Sequence, residues 1–304
     1  RGLIENEQPD ILFYPDIGMS PLTYFLAFSR LAPVQAVTWG HPDTTGIPNI
    51  DYFVSSELLE TSAARDHYSE QLISLKTVPT FFFRPDPPKN HFIRSDFGLP
   101  ENVKLYLCPQ ALFKFHPEFD DILYDLHCQD PHARIVLIDD TSDGSYKNLL
   151  LNRLHDQYSD LVGDMIFIRR MPSEKFLGLL TLADAVLDIP SFSGGRSSLE
   201  AFAMSVPIVT WPHDFMRGRV TAAFYKQMGL KDLIATDAKS YIELALKLAH
   251  DTKFKRQMQD DIKANTHKLF ERSDTVREIE TFFIDAYENW QRNNHKEPVA
   301  WPTS

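Results

Sequence analysis

Short apolar runs, each closing on a polar or glycine-bearing turn, recur along the chain. They fall at residues 10–14, 33–39, 50–54, 104–108, 133–138, 165–168, 186–187 and 208–210. Several are separated by stretches whose apolar residues recur at helical spacing. Leu22, Phe25, Leu26 and Phe28 mark one such stretch over 22–31. Others are predicted over 58–68, 119–126, a helix completed at 179–183, and 240–250, 253–270 and 273–290. Strands alternating with helices predict an α/β protein. Prolines 79, 85, 87 and 88, set around Phe81, Phe82 and Phe83, predict an interdomain linker over 79–90. From residue 294 on, the chain reads as a frayed tail.

With 304 residues the chain has room for two domains. Net charge is −11 and the pI about 5.4. This argues against sequence-independent nucleic-acid binding and against an anionic membrane surface. No apolar run spans a bilayer and no signal peptide opens the chain. The two cysteines, Cys108 and Cys128, fit a reducing cytosol, so a cytoplasmic location is expected. No Cys/His cluster has zinc spacing. Asp139 and Asp140, adjacent and with no third ligand, read as loop charges. The chain opens at Arg1 inside a helix-like stretch and reads as a fragment.

Chemistry concentrates where strands run out into loops, the position at which open α/β sheets take ligands. Val186-Leu187-Asp188 closes a strand and Gly194-Gly195 follows. Next comes a helix carrying Leu199, Phe202, Ala203 and Met204, with Ser197 or Ser198 as its N-cap. A glycine loop feeding a helix start offers bare N–H groups and the positive dipole end to a phosphate. Arg196 lies in this turn. Glu200 could reach a ribose hydroxyl or be an ordinary capping carboxylate. Lys114, just past the 104–108 strand, could neutralise a diphosphate. Arg217 and Arg219 could add charge there, or pair with Asp214 and Glu200. In the first 60 residues, Asp16 follows one strand and His41 another. Each could serve an acceptor as acid, base or contact, or be structural.

The string Gly-Gly-x-Ser-Ser-Leu-Glu-Ala-x-Ala-Met-x-Val-Pro-Ile-Val-Thr from Gly194 to Thr210 resembles the donor motif of nucleotide-sugar glycosyltransferases. The resemblance is to the family of O-linked N-acetylglucosamine transferase, with its SPINDLY-like and bacterial relatives and the N-glycosyltransferases of the HMW adhesin system. It spans roughly residues 10–290, densest near 33–54, 107–120 and 186–229. It implies an α/β fold of the GT-B type, two Rossmann-like domains with parallel sheets facing a cleft, the first incomplete in this chain. On that reading residues 1–84 are the C-terminal half of the acceptor-side domain. Residues 85–290 are the nucleotide-sugar domain, with its last helices packing back so that 274–290 crosses onto the first domain. Residues 291–304 are a tail.

The Leu-Phe-Lys-Phe-His-Pro string at 112–117 resembles the family's diphosphate lysine loop. That carries the role to Lys114, with Gln110 as a further donor contact. The resemblance assigns the uracil to the backbone of Met171 and the side chain of Phe176. Animal members have histidine where Phe176 stands; phenylalanine keeps stacking and loses a hydrogen bond. The implied activity is inverting, metal-independent transfer of a hexose, foremost N-acetylglucosamine. The donor is a UDP-sugar, and the acceptor is Ser, Thr or Asn of a protein. Lys114, the amides at Ser197 and Ser198, and Arg219 would stabilise the leaving diphosphate, and His41 or Asp16 would deprotonate or orient the acceptor. The expected partners are a UDP-sugar and a protein or peptide acceptor, with no nucleic acid, no membrane span and no cofactor. A preceding N-terminal region is expected; in this family it often carries tetratricopeptide repeats, and none is visible here. Two alternatives stay open: a nucleotide-sugar-binding fragment without transfer activity, and a nucleotide-sugar epimerase on the same fold. A phosphorylase would need a lysine reserved for pyridoxal phosphate, and no distinctive candidate is visible.

Overall fold

The computed structural model describes residues 1–139 and 141–294. Asp140 and the expected tail from residue 295 on lie outside the described residues. The chain divides into two compact units, Arg1–Phe81 with Arg272–Ser304, and Phe82–Glu271.

The first unit is built on four parallel strands in the order β1 (Ile11–Tyr14), β2 (Val34–Thr38), β3 (Tyr52–Ser56), β4 (Gln71–Leu75). Its helices begin with α1 (Gly2–Glu7) and α2 (Pro21–Leu26). β2 is buried along its length, including Gln35. That polar side chain is tolerated because it is fully used. It accepts from Leu31 N (2.8 Å) and donates to the carbonyls of Asn49 (2.7 Å) and Ser29 (3.2 Å). The C-terminal helix, Ser273–Asn294, covers this sheet. Its Phe282 and Ala286 pack with Val34, Ala36, Val54 and Leu75, and Phe283 meets Phe13 edge-on at 5.3 Å. Its first turns are pinned by Glu278, which accepts Lys76 N at 2.6 Å.

Residues 272–294 group with the first sheet, and the second unit closes at Glu271. Residues 291–294, expected in a tail, are helical. Two further expectations are corrected. Segment 58–68 is not an α-helix; it is turns and a 3-10 turn at Ala64–His67. Glu60 accepts from Ser55 Oγ (2.5 Å) and Tyr68 OH (2.7 Å), so side chains take over the local bonding. The helix expected over 22–31 stops at Leu26, and Asn49 Nδ2 takes the Phe28 carbonyl at 2.8 Å.

The second unit holds a five-stranded parallel sheet in the order β7-β6-β5-β8-β9. The strands are β5 (Leu105–Ala111), β6 (Arg134–Asp139), β7 (Met165–Arg169), β8 (Ala185–Leu187) and β9 (Ile208–Val209). The helices in chain order are α3 (Pro117–Gln129), α4 (Ser145–His155), α5 (Ser159–Asp164), α6 (Ser173–Leu182), α7 (Arg196–Ala203), α8 (Val220–Met228), α9 (Ala238–His250) and α10 (Thr252–Asn265). Tyr106, Phe119, Phe202, Phe224, Tyr225 and Tyr241 are the bulkiest buried groups. β5 pairs with β6 on one side and β8 on the other, so the strand order reverses between β5 and β8. In such sheets the crevice at that reversal, at the carboxyl ends, is where ligands sit.

Two local features shape this edge. The β5–β6 register jumps from Cys108↔Leu137 to Ala111↔Ile138, so Pro109 and Gln110 bulge out of the ladder. At β9, the Tyr225 hydroxyl donates to the Ile208 carbonyl (2.8 Å) and accepts the Ile208 N–H (2.9 Å). Thr210, expected as strand, lies past β9 and bonds the 233–235 segment through Thr210 N to Leu233 O (3.1 Å) and Ala235 N to Thr210 O (2.8 Å).

Candidate functional site

At the reversal point the centre of the site is Asp188, just beyond β8 and only 2% exposed. Its Oδ1 accepts Gly194 N (2.7 Å) and Gln110 Nε2 (2.9 Å), and its Oδ2 accepts Ser193 Oγ (2.6 Å) and Thr210 Oγ1 (2.7 Å). Burial pushes its carboxyl above the ordinary aspartate value, against the pull of those hydrogen bonds. The sequence marks Asp188 only as a strand end. Its one signal was an acidic residue closing an apolar run six positions before Gly194.

A side chain at Gly194 would require its neighbours to shift. A Cβ there would overlap Ser198 Oγ and stand 2.8 Å from Ser197 Oγ. The N-cap of α7 is Gly195, not Ser197 or Ser198 as expected, and no side chain caps the helix. Ser198 is drawn away from capping because its hydroxyl bonds Thr221 Oγ1 at 2.7 Å. Thr221 also bonds Ser193 Oγ through its own hydroxyl and its N–H, both at 2.9 Å. The first intrahelical bond is Leu199 N to Gly195 O at 3.1 Å. The amides of Arg196, Ser197 and Ser198 thus open the helix as unused donors of the helical ladder, at its positive end. Glu200 is buried and pairs with the exposed Arg196 at 2.9 Å.

Lys114 closes the 3-10 turn Leu112–Lys114 after β5, half-buried. Its Nζ stands 4.1 Å from the centroid of Phe192, on the loop that carries Gly194. Burial lowers its pKa and Asp188 pulls it back up. Gln110 is buried beside it, Nε2 on Asp188 and Oε1 without a hydrogen-bond partner. The structure thus gathers Gln110, Lys114, Gly194, Gly195, Arg196, Ser197, Ser198 and Glu200 around one strand-order reversal.

Met171 precedes α6, and Phe176 is half-buried in its first turn. α6 packs against α7 and β5. Arg219 Nη1 donates to the His213 carbonyl at 2.8 Å, and the Arg217 carbonyl accepts Ser193 N at 2.7 Å. Arg217 therefore meets the glycine loop through its backbone, with its guanidinium 4.7 Å from the Phe215 centroid. Both cysteines are free thiols, Cys108 buried and Cys128 exposed. Among the described residues no three His, Cys, Asp or Glu side chains gather as metal ligands.

The other two candidates lie in the first unit. Asp16 follows β1 and His41 follows β2, on neighbouring parallel strands. The two loops interlock through glycines. A Cβ on Gly40 would overlap the Pro15 carbonyl oxygen, and one on Gly18 would press into the His41 ring. The His41 loop is anchored further on by Glu70, which is 6% exposed. Glu70 accepts Thr44 Oγ1 (2.7 Å), Thr45 N (2.8 Å) and the Thr45 hydroxyl. Burial pushes its carboxyl up, but the Thr45 and Thr44 hydrogen bonds outweigh that and hold it below the ordinary glutamate value.

A family model described as glycosyl transferase family 41 matches residues 86–278. The chain is 26% identical over 270 residues to a probable UDP-N-acetylglucosamine–peptide N-acetylglucosaminyltransferase SEC from Arabidopsis thaliana, covering 85% of this chain and 27% of that protein. It is 27% identical over 229 residues to a probable enzyme of the same description, SPINDLY, from Petunia hybrida, covering 73% and 24%. The chain thus spans about a quarter of the length of these relatives. Among solved structures, an O-GlcNAc transferase mutant from Thermobaculum terrenum superposes with a TM-score of 0.80 at 23% identity, over 96% of this chain and 55% of that one. A sucrose-phosphate synthase from Thermosynechococcus elongatus gives 0.60 at 12% identity, over 92% and 74%. These likenesses concern the fold, two parallel α/β units of the GT-B type.

Proposed function

The chain belongs to glycosyl transferase family 41, and on that premise we propose that it carries the donor-binding part of a protein glycosyltransferase. The donor is a UDP-sugar and the sugar a hexose, foremost N-acetylglucosamine. The acceptor is a Ser, Thr or Asn side chain of a protein. The observation that carries this reading is the meeting of Lys114 with the Gly194–Gly195 loop and the opening of α7, across the β5–β8 reversal.

Sugar transfer breaks the bond between the anomeric carbon and the β-phosphate oxygen. Negative charge grows on that oxygen as the bond lengthens. The amides of Arg196, Ser197 and Ser198 and the Lys114 ammonium are donors fixed in advance where that charge would appear, which is how a preorganised site lowers a barrier. The Lys114 charge and the amide dipoles support transfer without a metal ion, and the acceptor's attack from the opposite face would invert the anomeric centre. Glu200, buried at the fifth position of α7, would accept from a ribose hydroxyl, and Phe176 would stack on uracil. Arg219 would add charge near the diphosphate. His41 and Asp16 are the groups available to take or orient the acceptor proton. No described helix is long and apolar enough to cross a membrane, and a cytoplasmic location is proposed.

The test is calorimetric titration with UDP, for the wild type and Lys114→Ala, with and without EDTA. The reading expects binding insensitive to chelator and weakened in the variant by about 1.5–3 kcal/mol, the size of a charge-assisted hydrogen bond. Wild type that binds GDP and not UDP would overturn the uridine assignment. Wild type that binds neither would overturn the donor site.

A further inference from the structure

Asp188 is the most heavily bonded side chain of the donor site, yet it is buried beneath the loop the nucleotide would meet. We propose that Asp188 is the positioning residue of that site: its carboxylate sets the path of the Ser193–Gly194 loop and, through the hydroxyl relay Ser193–Thr221–Ser198, the first turn of α7. The proposal rests on the nucleotide reading given above.

The two carboxylate oxygens do different work. Oδ1 accepts the Gly194 N–H, a group that can only donate, and the Nε2–H of Gln110. Oδ2 accepts the hydroxyls of Ser193 and Thr210, which can turn and accept instead. Ser193 Oγ passes the constraint to Thr221 at 2.9 Å, and Thr221 Oγ1 passes it to Ser198 Oγ at 2.7 Å. Gly194 has no Cβ and so no steric preference of its own that would hold the turn. Removing its N–H acceptor would leave a buried donor unpaired and the loop free to move.

The arrangement separates positioning from charge. In Asp188→Asn the amide oxygen can stand at Oδ1 and the NH2 at Oδ2, with both hydroxyls reversed. Every hydrogen bond is kept while the negative charge beside Lys114 is lost. Asp188→Ala loses both. Thr221→Val keeps the Asp188 carboxylate and nearly the same volume, and removes the hydroxyl that links Ser193 to Ser198 and also reaches the Gly194 carbonyl at 3.3 Å.

Two measurements on the 304-residue chain decide it: amide hydrogen exchange in peptides covering 193–199, and the UDP dissociation constant by calorimetry. The expectation for Asp188→Ala is exchange faster by at least about tenfold and UDP binding weaker by at least about tenfold. Asp188→Asn should stay within about threefold of wild type in both, and Thr221→Val should fall between. An Asn variant as impaired as the Ala variant would overturn the proposal, because charge would then be the requirement. So would a Thr221→Val variant that exchanges like wild type. Should Asp188→Ala fail to fold, the Asn and Thr221→Val variants decide alone. If wild type binds no UDP, the donor reading falls, and the exchange arm still tests whether Asp188 holds this loop.

Discussion

The His41 ring lies against the α-carbon of Gly18: a Cβ built there would stand 2.5 Å from its Cγ and Cδ2. Gly18 also has φ +91°, a conformation side chains rarely adopt. Gly18→Ala is therefore expected to cost about 1–2 kcal/mol of stability from backbone strain and to push the imidazole aside. Denaturant unfolding checks the first effect. For the second, sugar transfer should fall while UDP affinity, proposed above to lie with the second unit, stays unchanged. Equal loss of both would argue against an acceptor-side role for His41.

Glu70 gives the acid behaviour of the same loop. Its folded-state pKa lies below the ordinary glutamate value. The group therefore contributes stability that is present above its unfolded pKa and lost as pH falls through the folded one. In Glu70→Gln the unfolding free energy should be lower than wild type at neutral pH. The gap should narrow as the solution is acidified and close below the folded pKa. Unfolding curves collected from neutral to strongly acidic pH measure it.

Lys114 predicts the opposite limb. Burial holds its pKa below that of a surface lysine, partly restored by Asp188. Diphosphate binding needs the ammonium form, so UDP affinity should decline as pH rises through that lowered value, earlier than an ordinary lysine would allow. Lys114→Arg stays charged across the range and should remove this part of the decline. Uracil's own alkaline ionisation is common to both proteins. Dissociation constants measured for the pair over a series of pH values separate the two.

Gly194→Ala is expected to abolish donor binding with a moderate loss of stability. The added methyl would overlap Ser198 Oγ, which cannot swing away without breaking its 2.7 Å bond to Thr221. UDP titration with a melting curve on the same sample checks both parts. A variant that melts lower and still binds normally would show that the loop can shift without harm to the site.

Much of this was legible in the sequence because buried parallel strands read as near-unbroken apolar runs. β2, β3, β5, β6, β7 and β8 coincide with such runs. β4 was not read, because Gln71-Leu72-Ile73-Ser74-Leu75 is a partly exposed edge strand and mixes polar residues in. The glycine loop and Lys114 announced themselves by residue type at a strand end. Asp188, Thr210 and Thr221 did not. Their importance lies in hydrogen bonds between residues 22 to 28 positions apart, and 78 apart for Gln110 and Asp188, which no local pattern encodes. The capping expectation failed for the same reason: Ser198 has the chemistry of a cap, but a threonine 23 residues away claims its hydroxyl.

The Tyr225 hydroxyl, which satisfies both the N–H and the carbonyl of Ile208, has a further effect. β9 has only two residues, and the outward groups of Thr210 next to it are taken by Leu233 and Ala235. A bare strand edge is a template on which another polypeptide can add itself, the usual start of sheet-mediated aggregation. Here a single phenol stands in for the missing neighbour strand, and at Ile208 and Thr210 no backbone group is left to recruit one.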